Sequence, residues 1–340
     1  MQELSALKGF LSTPRKVIIT THASPDADAL GSSLGLYHFL KNRNHNVTVI
    51  TPTEYPEFLS WMEGNNEVLI NSDSTFKRIK TLFESVELIC CLDFSGLNRI
   101  KNLGDLVATS TASKLLVDHH LNPEKFADFE LWDQKAAATA ELIYDLILML
   151  DGADEINVPL AECLYAGIMT DTGSFKYPST SSKTHRIVAH LIDIGIDVNK
   201  VSRNIYDNNS VNRLRFIGYA LAEKLKIVER LCIAYFIITS EDHKRFKLKS
   251  GDTEGLVNYA LSIKGINVAA IIMEKDNEVK MSFRSVGDYA VNDFAAEHFD
   301  GGGHKNAAGG HSDQSLEETV KKFKRLIPVF KDHYFCKKRS

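Results

Sequence analysis

Little in this sequence can staple or anchor the chain. Only five cysteines occur among 340 residues, an odd set (Cys90, Cys91, Cys163, Cys232, Cys336) without a C-x-x-C pair. Three of them stand in apolar runs such as Leu88-Ile-Cys-Cys-Leu92, the setting of reduced core residues rather than of disulfides or a zinc site. No stretch reaches the ~18 uncharged apolar residues of a membrane span, since the nearest, 142–150, is short and carries Asp145. The first ten residues alternate polar and apolar at helical spacing and lack the apolar core of a signal peptide. A basic surplus is missing too. The formal net charge of −4 argues against a broad grip on duplex DNA and leaves room only for a local basic groove. These absences predict a cytoplasmic protein. Repeats and low-complexity tracts are absent as well, and the tail 336–340 is expected to be the least ordered part.

What is present is an ordinary globular balance, 44% hydrophobic and 25% charged, in a chain long enough for two cores. Residues 16–20 read as a β-branched strand. After a polar loop, Leu30, Leu34, Tyr37 and Leu40 recur at helical spacing over 29–40. Further strands are expected at 46–51, 88–93 and 114–118, with helices or loops between. That alternation predicts an α/β fold, a mainly parallel sheet flanked by helices. Helices follow at 137–150, 159–170 and 182–194, with Pro159 in a first turn and Gly195 at a stop. A mixed-face helix at 211–225 connects to a second, smaller α/β unit, with strands at 231–238, 267–273 and 279–283 and helices near 252–261, 292–299 and 316–330. The expected division is a metal-binding domain over 1–195, a helical linker over 196–228 with a hinge near 195–225, and a substrate-binding domain over 229–335.

Ionisable residues collect where these strands end. The first is followed by His22-Ala-Ser-Pro-Asp26-Ala-Asp28, the strand from Leu88 runs into Asp93, and the next closes on Asp118-His119-His120. Asp171 ends a helix and opens Asp171-Thr-Gly-Ser-Phe175. Singly each has a plain structural reading: Asp28 as a helix cap, Asp93 as a turn residue, His119 as a satisfied polar group, Gly31 and Gly35 as small packing residues. Together they place several carboxylates on one side of a sheet, where ligand sites of open α/β folds lie. Such carboxylates repel unless a cation intervenes. Oxygen ligands mixed with imidazole favour Mn²⁺ over zinc or calcium and keep Mg²⁺ and Fe²⁺ open. The donors suffice for two ions at the ~3.5–4 Å spacing of two-metal hydrolases.

In the second unit, Gly301-Gly-Gly-His304-Lys-Asn-Ala-Ala-Gly-Gly310 lets backbone N–H groups approach an anion, and a helix is expected to begin at Asn306 with its positive end toward it. Arg284, at a strand end and followed by Ser285, suits a guanidinium clamp on a terminal phosphate. Arg99 is a second candidate.

In order and spacing these segments resemble the DHH phosphoesterases, named for an Asp-His-His triplet that stands here at 118–120. The stretch Gly301, Gly302, Gly303, His304 resembles the signature loop of the accessory domain called DHHA1. The resemblance implies His22, Asp26 and Asp93 around one metal and Asp28, Asp93, His119 and Asp171 around the other, so that Asp93 bridges. It implies His120 as phosphate ligand or proton donor, Asp118 as the group that orients the histidines, and a possible homodimer. Without room for an oligonucleotide-binding domain or membrane segments, the chain is similar to the compact branch that trims RNAs of a few residues and dephosphorylates 3′-phosphoadenosine 5′-phosphate (pAp). Hydrolysis of linear or cyclic dinucleotides (pApA, cyclic-di-AMP) is the alternative within the family, and an inactive nucleic-acid-binding protein the alternative outside it. Phe94 stands where relatives often carry a small hydroxylated residue, and it is expected to narrow the cleft or stack on a base.

Overall fold

A computed structural model describes residues 4–249, 251–275 and 278–333. Cys336, the tail 336–340 and the end of the expected substrate domain, 334–335, lie outside the described residues. The chain divides into two compact units, Met1–Asn208 and Asn209–Ser340. Among the described residues no helix is long and apolar enough to cross a membrane.

In the first unit, helix α1 (Leu4–Phe10) leads into β1 (Lys16–Thr21), α2 (Ala27–Asn42), β2 (Asn46–Thr51), β3 (Leu69–Ile70), α3 (Asp73–Phe83), β4 (Leu88–Leu92), α4 (Leu103–Thr109), β5 (Ser113–Asp118) and β6 (Phe129–Trp132). Helices α5 (Thr139–Met149), α6 (Val158–Asp171), α7 (Ser182–Asp193) and α8 (Val198–Tyr206) follow. The six strands form one sheet in the order β3-β2-β1-β4-β5-β6, and every pairing is parallel. Because β1 to β4 are apolar on both faces, helices must cover both. One core holds Leu30, Leu34, Leu142, Ile143, Leu164 and Ile168. The other holds Ile79, Ile89, Ile100, Val107 and Leu116. The strand order reverses between β1 and β4, which opens a crevice at their carboxyl ends.

Helices α2 and α6 approach so closely that a Cβ on Gly31 would collide with the Cys163 carbonyl, so the packing role considered for Gly31 is real. Cys90, Cys91 and Cys163 are buried, and they and Cys232 are free thiols, as their apolar settings predict.

The second unit runs through α9 (Val211–Tyr219), a π-helical turn (Ala220–Lys224), β7 (Leu225–Val228), β8 (Ile233–Ile238), α10 (Ser240–Phe246), α11 (Leu256–Leu261), β9 (Val268–Lys275), β10 (Glu278–Ser285), α12 (Val291–His298), β11 (Gly302–His304), β12 (Ala307–Ser312) and α13 (Leu316–His333). Its sheet has the order β11-β12-β10-β9-β8-β7, with β8 and β9 parallel and the rest antiparallel. Here the expected helix at Asn306 is corrected. The Gly-rich stretch is a β-hairpin in which Gly302 pairs with Gly309 and His304 with Ala307. A Cβ on Gly301 would strike the Gly309 carbonyl, so the glycines serve the close approach of two strands.

Candidate metal centre

The crevice collects its donors from four elements. Asp26 caps α2, its Oδ1 accepting from the Asp28 and Ala29 N–H groups at 3.0 Å each. That cap aims the loop carrying His22, whose ring Nδ1 donates to the Ala23 carbonyl at 2.9 Å. A carbonyl can only accept, so Nδ1 carries the hydrogen and Nε2 is left to face Asp93 Oδ2 at 3.4 Å. His119 repeats the arrangement: Nδ1 donates to the Ala136 carbonyl at 3.1 Å, and Nε2 lies 3.4 Å from Asp171 Oδ2 and 3.6 Å from Asp93 Oδ1. His120 donates from Nδ1 to Asp118 Oδ1 at 2.8 Å. Fixing one ring nitrogen on an oxygen acceptor is how metal-binding imidazoles are oriented.

Asp93 sits just past β4 with φ +66°, a left-handed backbone uncommon for a non-glycine residue and typical of functional turns. Its side chain is held by Thr139, whose hydroxyl donates to Asp93 Oδ1 at 2.8 Å. The same Thr139 donates its backbone N–H to Asp28 Oδ2 at 2.6 Å, while Ala140 N–H donates to Asp28 Oδ1 at 2.9 Å. Asp28 thus caps the N-terminus of α5 from a distant element, where Ala138 supplies no side-chain cap. Each of its oxygens keeps a second lone pair. Composition and spacing gave no sign of Thr139; only its place at the start of a helix after three alanines marked it out.

The charges conflict when only protein atoms are counted. Burial, and then the charges of Asp93, Asp171 and Asp26, push Asp28 well above the ordinary carboxylate range. Burial also pushes Asp171 up to about 6, with Asp26 and Asp93 adding to it against the pull of His119. Burial pulls the His22 imidazole down, yet its hydrogen bond to Asp93 and the charges of Asp26 and Asp93 prevail and carry it up to about 9. For Asp93 burial acts upward but is outweighed by the histidines, His22 first, and the carboxylate is held well below its usual range. Protons are standing in here for positive charge that a cation could supply.

The donor set fits such an ion. Ligand atoms of His22, Asp26 and Asp93 lie within 4.8 Å of one another, as do those of Asp28, His119 and Asp171, and those of Asp93, Asp118 and His120. Asp118 is fully buried, and its Oδ2 has no hydrogen-bond partner among the described residues. Its other oxygen orients His120 alone, because His119 takes its anchor from the backbone.

Other expected residues fall differently. Phe94 does not line the cleft. It is fully buried, stacked on Phe126 at 6.4 Å between ring centres, because the turn at Asp93 sends the next side chain into the core beneath α4. Arg99 is exposed in the 3₁₀ turn Leu97–Ile100, and its carbonyl accepts from Ala23 N–H at 2.9 Å, tying that turn to the His22 loop. In the second unit Arg284 is half-buried at the end of β10. Ser285 is buried, and its hydroxyl donates to the Tyr289 carbonyl at 2.7 Å and accepts from Asn306 Nδ2 at 2.7 Å, so it braces the hairpin rather than turning outward. Gly301, Gly302, Gly303 and His304 line up along that hairpin, partly exposed.

The pattern described as "DHH family, N-terminal domain" matches residues 16–168, and that described as "DHHA1 domain" matches residues 229–328. A solved Bacteroides fragilis structure described as an exopolyphosphatase-related protein shares 38% identity and a TM-score of 0.92, covering 97% of both chains. The chain belongs to the DHH family of phosphoesterases. The Bacillus subtilis (strain 168) protein named "bifunctional oligoribonuclease and PAP phosphatase NrnA" is 27% identical over 93% of this DHH chain and 95% of its own length. The Thermus thermophilus RecJ structure in complex with Mn²⁺ is 13% identical, with a TM-score of 0.53, over 98% of this chain and 55% of that one, a likeness of fold.

Proposed function

We propose that this protein hydrolyses phosphate esters of short oligoribonucleotides and of pAp with the help of two divalent ions, Mn²⁺ foremost. The observation that carries the reading is the set of three imidazoles whose Nδ1 atoms are all committed to oxygen acceptors, two of them presenting Nε2 to the buried carboxylate of Asp93 and the half-buried one of Asp171. The curated relative named for both activities matches nearly end to end, which supports the substrate class.

In this reading His22, Asp26 and Asp93 would hold one ion, and Asp28, Asp93, His119 and Asp171 would hold the other. When bound, the ions supply an activated water and neutralise the phosphate. The chain's own residues do the rest. Thr139 holds Asp93 and Asp28 in place. Asp118 fixes the His120 ring. Burial pulls the His120 imidazole down, but the Asp118 hydrogen bond and the charges of Asp93 and Asp118 raise it above the ordinary imidazole value. With its Nδ1–H fixed on Asp118, His120 suits binding the scissile phosphate and giving a proton to the leaving 3′ oxygen. In the second unit Arg284, Gly301 and strand β11 are assigned to the substrate's terminal phosphate. Free, mostly buried thiols are in keeping with the reducing cytoplasm as the place of action.

The test is a parallel turnover assay with Mn²⁺ on pAp, 5′-phosphorylated RNA of two to five nucleotides, pApA, cyclic-di-AMP and pyrophosphate, with Asp93→Ala as control. Preference for pAp and the short RNAs, lost in the variant, is the expected result. Preference for pApA or cyclic-di-AMP would make this a signalling-dinucleotide hydrolase, and normal turnover by Asp93→Ala would refute the two-ion assignment.

A further inference from the structure

We propose that Trp132 is a nucleobase-stacking platform at the rim of this site, so that the protein selects nucleoside-bearing phosphate esters over base-free ones. The inference rests on the phosphoester-hydrolase reading and adds a recognition element to it.

Strand β6 lies at the sheet edge and alternates, Phe129 and Leu131 inward, Glu130 and Trp132 outward. Trp132 is the register partner of Asp118, so it stands at the same carboxyl rim that delivers Asp118, His119 and His120. Its indole Nε1–H donates to the His120 carbonyl at 2.7 Å, which pins one edge of the ring to the residue assigned to the phosphate. The residue nevertheless remains 36% exposed. Among the described residues no aromatic ring or cation is recorded over its face. Large apolar side chains this exposed are normal when scattered, but this one is rigidly held beside the ligand-facing rim, where an ordered aromatic surface loses little entropy on binding.

The chemistry of the substrate supplies the counterpart. A nucleotide whose phosphate is held by His120 carries its base one ribose away, and every base offers a π-face to an indole, whatever its sequence. Polyphosphate and pyrophosphate offer none. The platform therefore favours nucleotides without imposing a base preference, as suits an enzyme acting on short RNA of any sequence.

The experiment has two arms. The chain has two tryptophans, so Trp61→Phe leaves Trp132 as the sole indole reporter. With Mg²⁺, rapid mixing of that protein with pAp should quench Trp132 fluorescence before turnover, while inorganic phosphate and pyrophosphate at saturating concentration leave it unchanged. In steady state, Trp132→Ala should raise KM roughly tenfold for a 5′-phosphorylated RNA dinucleotide. It should leave the abasic dinucleotide within about twofold of wild type, and Trp132→Phe, which keeps a ring and loses the N–H, should recover most of the loss. Equal losses on both dinucleotides would mean that the indole only holds the His120 backbone and would overturn the proposal. Equal fluorescence responses to pAp and phosphate would overturn it as well, and that arm stands even if Trp132→Ala does not fold. Should wild type hydrolyse none of these esters, the parent reading falls, while differential quenching by pAp still decides whether the base stacks.

Discussion

At the scale of single residues, Thr139 makes the most demanding connection in the site: its hydroxyl and its backbone N–H engage two different buried aspartates. Removing the hydroxyl takes away one of the groups that hold Asp93 on its left-handed backbone. Thr139→Val should lower divalent-ion affinity and turnover roughly ten- to hundredfold, the usual range for groups that orient ligands. Thr139→Ser should keep both near wild type. Calorimetric ion titration beside kcat separates ligand positioning from lost stability. In the second unit, Arg284→Ala should raise KM roughly tenfold or more for substrates with a terminal phosphate and change kcat little, since a charge-assisted contact remote from the broken bond contributes to binding.

At the scale of elements, two contacts decide how well the parts fit. The α2–α6 crossing leaves no space for a methyl at Gly167, where a Cβ would approach Asp28 Oδ1 to 2.7 Å and Ala140 Cβ to 2.8 Å. Gly167→Ala should cost about 1–3 kcal/mol in denaturant unfolding and also weaken ion binding, because the helix cannot shift without moving Asp28. In the second unit the π-helical turn is joined to α10 by buried Asp242, which accepts from Thr239 N–H at 2.9 Å and Tyr219 Oη at 2.9 Å and pairs with Lys224 Nζ at 2.7 Å. Burial alone would raise this carboxyl, but Lys224 and the hydrogen bonds from Thr239 and Tyr219 hold it down at about 2. A folded-state value below the unfolded one stabilises above the unfolded value, and that contribution disappears as pH falls from about 4 toward 2. Asp242→Asn should therefore cost about 2 kcal/mol near neutral pH and almost nothing at pH 2, as read from unfolding curves at both.

At the scale of the whole molecule, two units with separate cores should not respond alike to metal. All the proposed ligands lie in Met1–Asn208. Adding Mn²⁺ to EDTA-treated protein should raise one calorimetric transition by several degrees and leave the other in place, since an ion that binds only the native first unit stabilises that unit by mass action. A rise shared equally by both transitions would show that the units unfold together.

Much of this was legible in the sequence because it is local. Apolar runs and helical spacing located β1, β2, β4, β5, β8 to β10 and most helices, and the acids and histidines stood beside those runs. The missed strands, β3, β6, β7, β11 and β12, are short or glycine-rich and depend on a neighbour for their pattern, and the predicted helix at Asn306 gave way to a hairpin for that reason. By itself the sequence determined which acids and histidines stand at the ends of which strands, since strand order along the chain and the polar residue after each strand are properties of short segments. Only the tertiary structure decided that Asp28 caps α5 across 111 residues, that Thr139 joins two buried aspartates, that Phe94 turns inward and that Trp132 stays at the rim, because each depends on separate elements meeting in the packed fold.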